Sequence, residues 1–183
     1  MIKEKAANKY KECFVAYLDI LGFRPKVVES KKNSKTLKIL VESLNICAVF
    51  PPEGQKISES QANRLISVQS RFFSDTIVFF MKANPSDLAQ LFVIIRYLQD
   101  RLWEKKLCLR GAVTLGDMFW PEEGNNITLG PALIDAYCLE STQAIYPRII
   151  ISKELYDYIT NQDVNPSPLG NTDRLKDFIR HDF

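Results

Sequence analysis

The sequence predicts an α+β domain with a β-α-β-β-α-β core, a sheet with helices packed on one face. Three observations carry this. Short apolar runs rich in strand formers alternate with stretches whose apolar residues recur at three and four positions. Two of the strand-like runs are separated only by Ser74-Asp75, the spacing of a β-hairpin. The order along the chain, strand, helices, hairpin, helix, strand, is the ferredoxin-like arrangement.

The first strand is Cys13 to Asp19, an apolar run that ends in a carboxylate. Ile20-Leu21-Gly22-Phe23 follows as a glycine turn. From Pro25 to Ala48 the pattern is helical, with Leu37, Leu40, Val41, Leu44 and Ala48 on its apolar face and a break at Lys31 to Lys35. Residues 51–64 are polar and rich in turn formers, a surface loop. Leu65 to Phe73 and Thr76 to Met81 form the hairpin, with Asp75 at its tip. Asn84-Pro85 starts a helix, the asparagine as N-cap and the proline in the first turn. Its core stripe is Leu88, Leu91, Phe92, Ile95, Leu98 and Leu102. Leu107 to Leu115 is a strand, and 116–129 a second hairpin or loop. Gly130 to Thr142 reads as a helix, Tyr146 to Ile151 as a strand and Lys153 to Ile159 as a short helix. Beyond it the tail to Phe183 has no clear period.

The 183 residues, 46% hydrophobic and 25% charged, suit a single globular domain over 1–183. The charge balance, 24 basic against 22 acidic, is too even to suggest a nucleic-acid or membrane-surface partner. No apolar run approaches a membrane span and no signal peptide is visible, so a cytoplasmic location is expected. Cys13, Cys47, Cys108 and Cys138 lie far apart in apolar stretches and read as reduced core thiols. The single histidine, His181, argues against histidine-based nucleophilic or metal chemistry.

Two carboxylates remain as the chemistry. In this strand order the end of the first strand lies beside the hairpin tip, so Asp19 and Asp75 come within reach of one ion. Carboxylates, backbone carbonyls and substrate phosphates are the ligand set of magnesium or manganese. The Ile20-Leu21-Gly22-Phe23 turn, leading into a helix, would aim backbone N–H groups at phosphate oxygens. Each aspartate also has an ordinary reading, Asp19 as a helix N-cap and Asp75 as a turn residue.

Four motifs occur in order between residues 13 and 160. Tyr17-Leu-Asp19-Ile-Leu-Gly22-Phe23 resembles the first metal-binding motif of class III nucleotidyl cyclases, and Arg71-Phe-Phe-Ser74-Asp75 their second. Leu109-Arg110-Gly111-Ala112-Val113-Thr114-Leu115-Gly116 is similar to their x-Gly-Ile-x-x-Gly strand. Leu129-Gly130-Pro131 through Leu139-Glu140 is similar to their last catalytic helix. The resemblance implies a head-to-tail homodimer with sites at its interface. It also implies two divalent ions, Mg2+ or Mn2+, held by Asp19, Asp75 and the Ile20 carbonyl, with Ser74 and the 20–23 turn near the nucleotide.

The departures bear on substrate. The asparagine and arginine that adenylyl and guanylyl cyclases carry on that helix fall here on Ile134 and Cys138. The base-reading lysine of adenylyl cyclases falls on Arg71, and its partner aspartate on Ile127. Arg71 offers only donors, which suits the two carbonyls of uracil better than cytosine and leaves guanine without an acceptor. With the Gly-Pro-Ala-Leu helix, this looks most like the bacterial Pycsar pyrimidine cyclases, antiphage enzymes making cyclic UMP or cyclic CMP for a receptor effector.

The resemblance thus implies turnover of UTP or CTP, with another cation, Arg110, Arg148, Lys176 or Arg180, replacing the missing arginine. For Arg110 and Arg148 a structural ion pair at a strand end is the competing role. Arg71 could instead pair with Glu29 or Asp87. Tyr137 and Trp120 read as interface aromatics, and Glu140 as a solvated residue or an arginine partner. Two other functions stay open at this point: a catalytically silent nucleotide-binding or dimerisation domain, and a small RNA-binding α+β domain, against which the even charge speaks.

Overall fold

The computed structural model describes residues 9–48, 68–121 and 127–161. Its first strand, Lys11–Leu21 (β1), is longer than its apolar run because both edges are paired. On one side lies the hairpin Gln69–Phe73 (β2) and Thr76–Lys82 (β3), joined by Ser74-Asp75 as expected. On the other lies Cys108–Met118 (β4), which runs three residues past the expected end at Leu115. A short strand, Ile149–Ile151 (β5), pairs parallel with β4, and the other pairings are antiparallel. The sheet order β2-β3-β1-β4-β5 holds the expected ferredoxin-like core in its first four strands.

Helices Phe23–Ser30 (α1) and Ser34–Ala48 (α2) divide at residues 31–33, within the expected break. Asn33 makes the division: its side-chain oxygen accepts from the N–H groups of Lys35 at 3.1 Å and Thr36 at 3.4 Å. The buried stripe of α2 is Thr36, Leu40, Ser43 and Cys47 with Leu44 partly buried beside it, so the expected face holds at Leu40 and Leu44 and fails at Leu37 and Val41. Leu40 is 3% exposed, but Leu37 and Val41 are half exposed. Small polar residues fit under α2 because they bond locally: Thr36 donates to Glu29 at 2.8 Å and Ser43 to the Ile39 carbonyl at 2.7 Å.

Asn84 holds the expected N-cap of Pro85–Glu104 (α3), but its backbone carbonyl, not its side chain, accepts the Asp87 N–H at 2.8 Å. Leu88, Leu91, Ile95, Leu98 and Leu102 are buried against the sheet, each contributing about 1.5–3 kcal/mol. Pro131–Gln143 (α4) and Lys153–Asn161 (α5) complete the described chain.

The α+β class holds, with one departure in its helices. Alternate residues of β1 enter different cores: Phe14, Ala16, Leu18 and Ile20 meet α2, α3 and α5, whereas Cys13 and Val15 meet α4. Helix α4 therefore covers the opposite face. It lies close to the strands because the contacts are small: Ala132 and Ala136 are buried, and a Cβ on Gly116 would sit 3.2 Å from that of Ala132.

Cys13 and Cys47 are buried free thiols, pushed up to about 12 by burial, but Cys138 is exposed on α4 and Cys108 half-buried. The polar loop 51–64, the start of the hairpin at 65–67, the turn at 122–126 and the tail with Lys176 and Arg180 lie outside the described residues. Among the described residues no helix is long and apolar enough to cross a membrane.

Candidate active site

Asp19 sits two residues before the end of β1, opposite Thr76 of β3 and Arg110 of β4. It is neither a helix N-cap nor the last residue of its strand. Being odd-numbered like Cys13 and Val15, it faces α4. Asp75 is at the hairpin tip, where Ser74 takes the left-handed conformation, φ 57°, and is exposed. The tip is tied to β1 by the Ile20 N–H, which donates to the Asp75 carbonyl at 3.1 Å.

That bond settles two expectations about the segment after Asp19. Ile20 and Leu21 are strand residues paired with Leu109 and Cys108, so they are not part of a phosphate-facing turn. Both pairings hold because β4, expected from Leu107, runs alongside from Cys108. The turn proper is Gly22, with φ 75°. No atom lies within 4 Å of a Cβ built there, so glycine is required by its backbone angle and not by space. The first helical N–H groups, of Phe23 and Arg24, have no acceptor within α1. Phe23 itself is buried in the main core and anchors the helix start. Because a strand residue presents its N–H and C=O on the same edge, the Ile20 carbonyl also points toward the Asp75 side.

The charge of Asp75 reaches Asp19. The Asp19 carboxyl is pushed above its ordinary value, first by burial and then by the charge of Asp75, against the opposing pull of Arg110. Arg110 Nε lies 3.4 Å from Asp19 Oδ2 and 2.5 Å from Glu140 Oε1. Glu140 is 3% exposed, its carboxyl raised by burial and by Asp19 and lowered by Arg110. It is thus an arginine partner, not a solvated residue. Its place was legible in the spacing Ala132, Ala136, Glu140, which puts it on the buried face of α4. Among the described residues no group of three or more acidic, cysteine or histidine side chains is placed to hold a metal ion. Two carboxylates, one carbonyl and ligand-supplied oxygens remain the fitting donor set for a hard divalent ion, and the repulsion between Asp19 and Asp75 is what such an ion would relieve.

Arg71 lies on β2 opposite Val78, which in turn lies opposite Tyr17. It is therefore on the α4 side, two strands and one residue pair from Asp19, about 12 Å between Cα atoms. It bonds the Ser70 carbonyl at 2.7 Å and stacks 5.5 Å from the Phe80 ring centre. Neither Glu29 nor Asp87 pairs with it, and its buried Nε has no hydrogen-bond partner among the described residues. Arg148 likewise makes no ion pair in that set; it donates to the Gln143 carbonyl at 2.9 Å. Trp120, expected at a dimer contact, packs within the chain 5.1 Å from the Phe80 ring and beneath Lys11. Tyr137, half exposed, meets Tyr17 edge-on at 5.5 Å. Ile134 and Cys138 stand on the exposed face of the same helix.

Neither a protein-family model nor a curated protein matches the chain. Solved structures do. The catalytic core of a rhodopsin-guanylyl cyclase with converted specificity, in complex with ATPαS, superposes with a TM-score of 0.56 at 18% identity, over 82% of each chain. The monomeric guanylyl cyclase domain of the RhoGC fusion protein from the aquatic fungus Blastocladiella emersonii gives a TM-score of 0.53 at 18% identity, over 84% of this chain and 87% of that one. The chain therefore has the fold of guanylyl cyclase catalytic domains, with Asp19 and Asp75 brought together at one end of its sheet.

Proposed function

We propose that the chain is a metal-dependent nucleotidyl cyclase that converts a pyrimidine nucleoside triphosphate, UTP in preference to CTP, to the 3′,5′-cyclic monophosphate and pyrophosphate. The observation that carries this is the juxtaposition of Asp19, opposite Thr76, with Asp75, whose carbonyl accepts the Ile20 N–H, in a chain with a cyclase catalytic fold.

In this mechanism Asp19, Asp75 and the Ile20 carbonyl would hold Mg2+ or Mn2+, two ions per site. Such ions, when bound, acidify the ribose 3′-hydroxyl and stabilise charge on the α-phosphate and the leaving pyrophosphate. The 3′-hydroxyl gives its proton to solvent, and its oxygen bonds to the α-phosphorus as the bond to pyrophosphate breaks. The Phe23 and Arg24 N–H groups at the start of α1 donate to phosphate oxygens, and Ser74 borders them. Arg71, already on the same face of the sheet, addresses the carbonyls of the pyrimidine.

The exposed Ile134, Tyr137 and Cys138 on α4 supply the surface for a second copy, giving a homodimer with sites at its interface. The resemblance to Pycsar cyclases supports a role for the product as an antiphage signal read by a receptor. Ile134 and Cys138 also favour a second reading, a catalytically silent nucleotide-binding domain, since neither side chain can stabilise a pentavalent phosphorus.

Incubation with each of the four nucleoside triphosphates and Mn2+, with products identified by mass spectrometry, decides between them. Cyclic UMP is the expected main product. Asp19→Ala and Asp75→Ala should each lower turnover by about 10³-fold or more. Nucleotide binding without any cyclic product would leave only the silent domain.

A further inference from the structure

Arg110 is shared unequally between two carboxylates. Its Nε is 2.5 Å from Glu140 Oε1 and 3.4 Å from Asp19 Oδ2, and its Nη1 reaches the Ala144 carbonyl at 3.5 Å. The Nε and the Glu140 Oε1 are both buried, and neither has a partner that meets hydrogen-bond geometry. The contact is therefore one of charge and proximity, without the directional lock that a bidentate fork would give. Side-chain exposures of 27% for Arg110, 22% for Asp19 and 4% for Glu140 place the trio at the boundary between core and cleft, Glu140 on the inside. Arg110 and Asp19 are fixed opposite each other by strand register, and Glu140 is fixed above them by the close seat of α4.

We infer that Arg110 is a built-in counter-ion that competes with a divalent cation for Asp19, and that Glu140 is the positioning residue that draws Arg110 away when the cation binds. This rests on the reading of Asp19 as a metal ligand. The carboxylate pair Asp19 and Asp75 would repel if left bare, and Arg110 offsets that repulsion. A cation at Asp19 takes over this role and repels the guanidinium in turn. Glu140 offers Arg110 a buried partner already closer than Asp19, so the displaced charge is never left unpaired.

The competition predicts effects of opposite sign on Mn2+ affinity, measured without nucleotide by electron paramagnetic resonance of free Mn2+. Glu140→Gln leaves Arg110 to Asp19 alone and should weaken Mn2+ binding by about five- to tenfold. The double variant Arg110→Met/Glu140→Gln removes one charge of each sign and should tighten it by about the same factor, because Asp19 is then uncontested. Glu140→Asp keeps the charge but shortens the side chain. It should weaken binding as Glu140→Gln does, and it serves alone if the double variant does not fold.

Weaker binding in both Glu140→Gln and the double variant would overturn the inference, since Glu140 would then be acting on the cation directly through its field. Affinities equal to wild type in all three variants would overturn it as well, while leaving the metal site itself intact. Absence of Mn2+ binding in the wild type and every variant would instead remove the metal site, and the inference with it.

Discussion

Replacing Asp75 by asparagine should make the metal-free protein more stable while removing its activity. Asp75 lies at a hairpin tip whose backbone carbonyl, not its carboxylate, holds the Ile20 N–H, so Asp75→Asn keeps the 3.1 Å bond. What it removes is a negative charge that pushes the Asp19 carboxyl up. A carboxyl raised in the folded state binds protons more tightly there than in the unfolded chain. Its stability contribution is therefore full at low pH and is lost as pH rises through the raised value.

Above that value the contribution is lost in the wild type, and Asp75→Asn recovers the share due to Asp75. For two partly exposed carboxylates the share is about 0.5–1 kcal/mol, between the limits of water and a protein surface. In a chain of this length that is a rise in Tm of roughly 1–4 °C. The assay is thermal unfolding in EDTA at pH 7 and again in acid, where the gain should shrink as Asp19 takes up its proton. With Mn2+ present the order reverses, because the wild type gains the binding free energy and the variant loses a ligand. A lower Tm for Asp75→Asn in EDTA, or an undiminished Mn2+ stabilisation, would refute the juxtaposition of the two carboxylates.

Three other outcomes are expected. Arg71→Ala should lower kcat/KM for UTP by roughly 5- to 150-fold, the loss of a bidentate contact, and residual ATP turnover much less; an unchanged UTP to ATP ratio removes Arg71 from the base site. Gly111→Ala should destabilise the fold by about 1–3 kcal/mol in urea unfolding, because its Cβ would meet the Tyr17 carbonyl at 2.4 Å and Leu18 Cδ2 at 2.6 Å. A stable Gly111→Ala would mean that β1 and β4 pack less closely than their register indicates. Light scattering should give about twice the 21.0 kDa chain mass, and a single 21.0 kDa species with activity independent of enzyme concentration would exclude the dimer.

Elements built from local chemistry were legible in advance. The Ser74-Asp75 hairpin follows from two strand-forming runs with nothing else between them. The stripe of α3 follows from its leucines, and the division of α1 from α2 from a run with a capping asparagine. Elements that depend on partners were less so. The strand β5 was expected from Tyr146 but begins at Ile149, its pairing with β4 starting at Gly111, whose N–H donates to the Arg148 carbonyl at 3.0 Å. The stripe of α2 was partly misjudged, because Thr36 and Ser43 satisfy their hydroxyls locally and so can be buried, leaving Leu37 and Val41 outside.

For the candidate site, the sequence by itself determined which groups are present: two aspartates after strand-forming runs, a glycine suited to a positive φ, and an arginine four residues before Asp75. Tertiary structure decided what each group meets. Register placed Arg110 opposite Asp19, although 91 positions separate them by number, and turned Ile20 and Leu21 from a turn into paired strand. The seat of α4 on the far face of the sheet, allowed by Gly116, Ala132 and Ala136, brought Glu140 onto Arg110. The reason is physical. Turn and helix signals act over a few residues of chain, whereas an ion pair depends on which strands share hydrogen bonds and how closely a helix can approach them.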